Sequence, residues 1–298
     1  HAEISTSDSL QKVLTDIVWN EAGKSHYIKG YYDLVDKTSP LHFNAKLDRL
    51  DLLHIEPLIQ DILSHKAGLI VGDLQITGTP EKPIINGEGN LYRAEMTVNY
   101  IGTHYRMDPA HYSVKNSIIK LDEFKFRDSL RRTGTASGTI DLRNLNAVAL
   151  DLRFDLNKML VMKTSFEQNE LFYGTAIASG LITLKGPVSS LVIGADAKTE
   201  RGTSVFIPIS DSRDAEQHSF VQFISSRKSI TTNIIKKYEE DLEGVAIDFN
   251  IQATPDAEIT LVMDVQAGDY LKAKGSGNIK VNYSTISTFN MFGDYTIK

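Results

Sequence analysis

Val148-Ala149-Leu150-Asp151-Leu152-Arg153-Phe154-Asp155-Leu156 sets an apolar side chain at every second position, with alanine or a charged residue between. A period of two is the mark of a β-strand with one apolar and one solvated face. Val245, Ile247, Phe249 and Ile251 repeat the pattern around Ala246, Asp248 and Asn250. Ile259, Leu261, Met263 and Val265 form a third run, with Val262 adding an apolar residue to its polar side.

Outward from these runs, a smaller unit recurs: a glycine followed by apolar residues two and four positions on. It occurs as Gly30-Tyr31-Tyr32-Asp33-Leu34, Gly72-Asp73-Leu74-Gln75-Ile76, Gly138-Thr139-Ile140-Asp141-Leu142, Gly180-Leu181-Ile182-Thr183-Leu184 and Gly277-Asn278-Ile279-Lys280-Val281. The glycine is expected to let the chain turn sharply before each strand begins. One such strand cannot bury its apolar face alone, so stacked repeats are expected to share one long hydrophobic surface. A second repeat is strand, proline turn, strand, at Thr79-Pro80, Gly186-Pro187 and Thr254-Pro255.

Two short helices are also expected. Leu10, Val13, Leu14, Ile17 and Val18 fall on one face at helical spacing, with Ser7 or Ser9 as cap. Pro57 to about His65 forms the second, with Ile55, Leu58, Ile59, Ile62 and Leu63 apolar and Pro57 in the first turn. Gly30 and Gly72 then occupy equivalent places in a helix-plus-strand repeat. Between Ser210 and Gly244 the alternation fades and charge rises, which reads as a polar insertion or hinge with a short apolar element at Phe220 to Ile224. The expected organisation is a repeat segment over 1–210, the insertion over 211–243, and a second repeat segment over 244–298.

Composition narrows the function. The net charge of -6 over 298 residues offers no basic footprint, so nucleic acid is not an expected partner. With no cysteine there is no disulfide and no thiolate metal site. The 41% of hydrophobic residues is spread in alternation, and no run approaches the roughly 18–20 apolar residues of a membrane-spanning helix. The start at His1-Ala2-Glu3 shows no leader, and both ends read as cut points in something longer.

Catalytic motifs are weak throughout. Gly23-Lys24-Ser25 resembles the end of a phosphate loop, but the glycine required five residues earlier is Val18, and a polar turn explains it better. His104 and His111 are the nearest approach to a metal pair, at a spacing that suits exposed strand or turn positions. No Gly-x-Ser-x-Gly elbow or His-Glu-x-x-His helix is present. Paired-acid hydrolysis has nothing in its favour, because the carboxylates alternate with apolar residues as on a solvated sheet face. What remains is the long apolar face itself, either sealed as a core or open to an apolar ligand.

The repeated units resemble the TamB family, within the wider AsmA-like group. The resemblance is carried by Gly72-Asp73-Leu74-Gln75-Ile76-Thr77-Gly78-Thr79-Pro80 with Pro83-Ile84-Ile85-Asn86-Gly87, and by Tyr173-Gly174-Thr175-Ala176 through Gly186-Pro187 to Phe206-Ile207-Pro208-Ile209. Its most specific strings are Thr254-Pro255-Asp256-Ala257-Glu258-Ile259, Gly275-Ser276-Gly277-Asn278-Ile279 and Phe292-Gly293-Asp294-Tyr295-Thr296-Ile297. The resemblance implies an all-β fold: an elongated curled sheet, a half-pipe or taco built from repeats, with a few short helices and an apolar concave face.

It further implies a non-enzymatic, cofactor-free module in the periplasm. The full-length protein would be anchored in the inner membrane of a Gram-negative bacterium and would meet an outer-membrane barrel of the TamA or BamA kind. Two roles follow: carrying phospholipid acyl chains along an open groove between the membranes, and supporting outer-membrane protein assembly. Against the family pattern the sequence reads as a C-terminal-region fragment without the anchor or the final barrel-engaging segment. The residues expected to line the groove are Leu74, Ile76, Ile140, Leu142, Val148, Leu150, Leu152, Phe154, Ile182, Leu184, Val245, Ile247, Phe249, Ile251, Ile259, Leu261, Met263 and Val265. Two other readings stay open: a chaperone-like scaffold that pairs its edges with client strands, and a β-solenoid polysaccharide-binding protein or enzyme. The last would need carboxylates and exposed aromatics clustered on an outer face.

Overall fold

The computed structural model describes residues 2–6, 11–21, 23–53, 63–169, 172–208, 245–264, 269–284 and 287–297. They form one sheet of eighteen strands. The first six are β1 (Ala2–Thr6), β2 (Lys12–Glu21), β3 (Lys24–Asp33), β4 (Leu41–Asp51), β5 (Leu63–Thr79) and β6 (Lys82–Val98). Next come β7 (Thr103–Met107), β8 (Ala110–Lys115), β9 (Ile118–Asp128), β10 (Thr133–Asp141), β11 (Ala149–Thr164) and β12 (Tyr173–Pro187). The last six are β13 (Val192–Thr199), β14 (Ser204–Pro208), β15 (Ala246–Ala253), β16 (Glu258–Asp264), β17 (Asp269–Ser284) and β18 (Ser287–Ile297).

The chain runs as an antiparallel meander. In three places two short strands share one lane: β7 and β8 both lie between β6 and β9, β13 and β14 both border β12, and β15 and β16 both border β17. That leaves fifteen lanes, or about 70 Å from first strand to last at the usual strand spacing. The meander is broken once, where β15 runs parallel to β13 and β16 parallel to β14. Residues 209–244 join these two lanes, and the expected insertion, with its element at Phe220 to Ile224, lies outside the described residues.

The sheet is creased as well as long. Arg49 in β4, Arg93 in β6 and Lys158 in β11 each have a left-handed φ, at 64°, 52° and 52°, and each sits at a register shift. Such bulges bend a strand and increase its twist. The lane breaks at Asp108-Pro109, Glu200–Thr203 and Thr254–Ala257 do the same work by interruption. From β11 onward the crease is stitched by side chains. Lys158 N–H donates to Ser179 Oγ at 2.8 Å, and Ser179 Oγ donates to Glu200 at 2.7 Å. Thr254 N–H donates to Thr199 Oγ1 at 2.9 Å.

The structure corrects three expectations. The segment around Val13 to Val18 is strand β2, not a helix: it pairs residue for residue with β3, from Lys12 against Asp33 to Glu21 against Lys24. Val13, Thr15, Ile17 and Trp19 alternate as well as they spiral, and β-branched residues with a tight turn at Gly23 favour the hairpin. The second expected helix lies mostly in residues 54–62, outside those described, but its last three residues open β5, with Leu63 opposite Val98. The helix-plus-strand repeat is therefore a hairpin repeat, and the described helices are single 3-10 turns at Asn99–Ile101 and Val188–Ser190.

The third correction concerns the glycines. Gly30, Gly72, Gly138, Gly180 and Gly277 lie inside β3, β5, β10, β12 and β17, not ahead of them. At Gly138, φ is 144°, and a Cβ would run into the carbonyl oxygen of Asp151 on β11. The glycine lets neighbouring backbones close in where the sheet curls. Of the proline turns, Thr79-Pro80 and Gly186-Pro187 do connect neighbouring lanes, whereas Thr254-Pro255 marks the crease between collinear β15 and β16.

Candidate functional site

Cross-strand register decides which side chains share a face, because directly paired residues point the same way. One row runs Leu152–Leu184–Ile193–Ile247 across β11, β12, β13 and β15. The next runs Phe154–Ile182–Ala195–Phe249–Val281–Met291 and reaches β18. A third joins Leu156, Gly180, Ala197, Ile251 and Ile279. On the other side of the central lanes, Ile140 pairs with Ile119 and Leu150, and Leu74 pairs with Ala45 and Gly87. Ile76 lies between Phe43 and Ile85. Thus eleven of the sequence-selected residues, from Leu74 to Ile251, lie on one face of one sheet.

The rest are placed differently. Leu142 and Val148 flank the β10–β11 turn: Leu142 N–H donates to Ser117 O at 2.8 Å, and Val148 O accepts from Val188 N–H at 2.9 Å. Val245 directly precedes β15. Ile259 and Leu261 lie past the crease, paired with Val205 and Ile207 on one side and Ala273 and Leu271 on the other. Met263 is the extra residue of a bulge and is 58% exposed, and Val265 lies outside the described residues.

The face is not uniformly open. In the middle lanes Tyr112, Val114, Leu121, Phe124, Phe126, Ala136 and Met159 form a buried cluster, with Met159 fully enclosed. Leu74, Ile140, Leu152 and Phe154 pack against it. Phe126 meets Tyr105 and Phe154 edge-on, at ring distances of 5.7 and 5.9 Å. Tyr112 lies flat over Gly72 and Gly89, filling the space two side chains would take, and its hydroxyl donates to Val71 O at 3.2 Å. Burial pushes the phenols of Tyr105 and Tyr112 up to about 12, so both are neutral donors. Tyr105 donates to Leu160 O at 3.0 Å.

The buried Asp128 carboxylate closes this region. It accepts from the backbone N–H groups of Leu130, Arg132 and Leu160 at 2.9, 2.8 and 2.7 Å, which lets the short β9–β10 hairpin end while β7 and β11 meet above it. The cluster was missed in the sequence because a bulge sets Leu121, Phe124 and Phe126 at spacings of three and two, which breaks the alternation. Beyond it, Ala195 and Ala197 give little apolar signal in the sequence, and Ile193 stands beside them without a run of its own.

Among the described residues the candidate catalytic motifs do not assemble into a site. Among the described residues no three His, Asp or Glu side chains gather as a metal site. His104 lies 3.6 Å from Glu95 and His111 lies 3.1 Å from Asp122, as separate pairs on β-strands. Gly23 sits in the β2–β3 turn and Lys24 and Ser25 start β3, so no phosphate loop forms.

The description of the TamB C-terminal domain matches residues 122–298, more than half of the 298-residue chain. The chain belongs to the TamB C-terminal domain family. No curated protein and no solved structure matches it. The family assignment covers β10 to β18, including every long apolar row described above from Leu152 onward, and marks the chain as a non-enzymatic β-sheet module. Among the described residues no helix is long and apolar enough to cross a membrane.

Proposed function

We propose that this TamB-family sheet is a periplasmic segment whose concave face carries phospholipid acyl chains between the inner and outer membranes, in support of outer-membrane biogenesis. The observation that supports it most is the row from Phe154 to Met291, which stays apolar across six lanes without a charged residue. Each methylene laid on such a surface gains roughly 0.8 kcal/mol, so an acyl chain is held while its head group stays in water. In this reading the contact is made in the lanes from β12 to β18, because between β5 and β11 the face is filled by Tyr112, Phe124 and Phe126. The full-length protein is membrane-anchored and meets a barrel of the TamA or BamA kind, and the segment over 211–243 acts as insertion or hinge between two repeat segments.

The test is site-specific photocrosslinking in a Gram-negative host. A photoreactive residue at Phe249 or Ile251 should capture phospholipid, and one at the oppositely facing Asn250 should not. Phe249→Glu should retain the fold and lose the captured lipid. Equal capture from Asn250, or unchanged lipid in Phe249→Glu, would remove the reading. A second reading is favoured by one feature: among the described residues β18 pairs only with β17, which offers a backbone edge that a client strand could join. Crosslinks from Asn290 or Asp294 to outer-membrane protein strands, without lipid at Phe249, would select it.

A further inference from the structure

We propose that the convex face of the β13–β15–β17–β18 panel is a binding site for a neutral glycan chain. The site does not depend on the concave-face reading, since it uses the opposite side chains of the same strands.

The register builds a polar grid of four strands by three rows. One row is Gly194–Asp248–Asn282–Asn290, the next Asp196–Asn250–Lys280–Phe292, and the third Lys198–Gln252–Asn278–Asp294. It measures about 14 Å in each direction, enough for a short run of pyranose rings. On other parts of the convex face opposite charges pair off, Asp16 with Lys29, Asp108 with Arg127, Asp155 with Arg153 and Glu258 with Lys272, beside one shorter amide row, Asn44–Gln75–Asn86. On the grid, primary amides replace that pattern. Asn250, Gln252 and Asn278 hold neighbouring, exposed positions. A primary amide donates and accepts at once, as a sugar hydroxyl does, so a cluster of amides matches a polyhydroxyl ligand better than an ionic one.

Two more features point the same way. Phe292 stands 62% exposed on β18, the outermost strand of the grid, on the face away from the apolar rows. An aromatic ring set beside amides offers an apolar flat for the C–H side of a pyranose. A shallow depression beside it is lined by Asp196, Asn250, Gln252, Asn278, Lys280 and Phe292, together with Ile251, Ile279 and Gly293 of the adjoining inward row. The charge is also right. Three aspartates against two lysines leave the grid near neutral, without the cation excess that a phosphate-bearing polymer or an anionic bilayer requires.

The experiment follows the side-chain amide signals of Asn250, Gln252 and Asn278 by NMR in the full 298-residue chain while chitotetraose is added. Saturable shifts at these amides are expected, with sucrose at the same concentration leaving them in place. Phe292→Ala should weaken the response about tenfold, the size of a lost aromatic contact, and Asn278→Ala should weaken it without unfolding the sheet. Three results would overturn the site: unmoved amides at the highest chitotetraose concentration, an equal response to sucrose, or an unchanged response in Phe292→Ala.

Discussion

Two panels of this sheet use the same alternation to opposite ends. Between β5 and β11 the inward positions hold Tyr112, Phe124, Phe126 and Met159, which meet across the curl and exclude water. From β12 to β18 the corresponding positions hold Gly180, Ala195, Ala197 and Gly293 between larger neighbours. There the face stays half-open, and Met291 is 46% exposed. Periodicity therefore assigns a side chain to a face, while the volumes placed on that face decide whether it closes.

The sharpest way to break this contrast is to empty each panel in turn. Phe126→Ala should cost about 3–5 kcal/mol, as for a large buried aromatic. Phe249→Ala, at a half-buried site, should cost about 1–2 kcal/mol in proportion to the area it covers. Urea unfolding of the two variants measures the difference, and equal losses would mean that the panels are packed alike. Asp128→Ala should follow closely, at about 2–4 kcal/mol, because it strands buried backbone donors at Leu130, Arg132 and Leu160. Hydrogen exchange should then rise at the β7–β11 junction and leave β15 to β18 unchanged.

A smaller effect separates an interior lane from an edge. Gly138→Ala forces β10 away from β11 and should cost about 1–3 kcal/mol, whereas Gly293→Ala on β18 should cost less, because among the described residues β18 is held by β17 alone. Thermal midpoints of the two variants give the order directly. The smallest effect is at the crease of the open panel. Glu258 is held below its ordinary value first by the hydrogen bond from Lys272, at 2.7 Å. A lowered carboxyl favours the fold above its unfolded value, and that contribution disappears as pH falls through the folded value. The difference in midpoint between the wild type and Glu258→Gln should therefore be greatest near pH 7 and vanish in acid; a difference that grows in acid would reverse the assignment.

Much of this was readable in the residues. The runs at Leu150–Leu156 and Ile247–Ile251 are strand segments, in β11 and β15. The strand character followed from them, and the curled repeat sheet from the family resemblance. The misreadings share one cause. Where a local pattern satisfied two periods, as at Val13 to Val18, pairing with β3 chose between them. Where the backbone gained a residue, as between Leu121 and Phe124, the period itself was lost. A turn and a tight curl ask for the same missing side chain, so the repeated glycines do not by themselves say which of the two they serve. The convex grid is not legible in the sequence, since Asn250 joins Asn278 and Lys280 only through the pairing of β15 with β17.

A meander lengthens most simply by duplicating hairpins, because each added pair returns the chain to the side from which it set out. The parallel meeting of β13 with β15 breaks that parity once. Whole hairpins can be gained or lost before β13 or after β17 without disturbing it. An odd strand inserted next to it would reverse every later strand. The step is thus a fixed landmark against which the rest of the sheet can grow, and TamB-like chains of very different length should keep it in place while the number of hairpins around it varies.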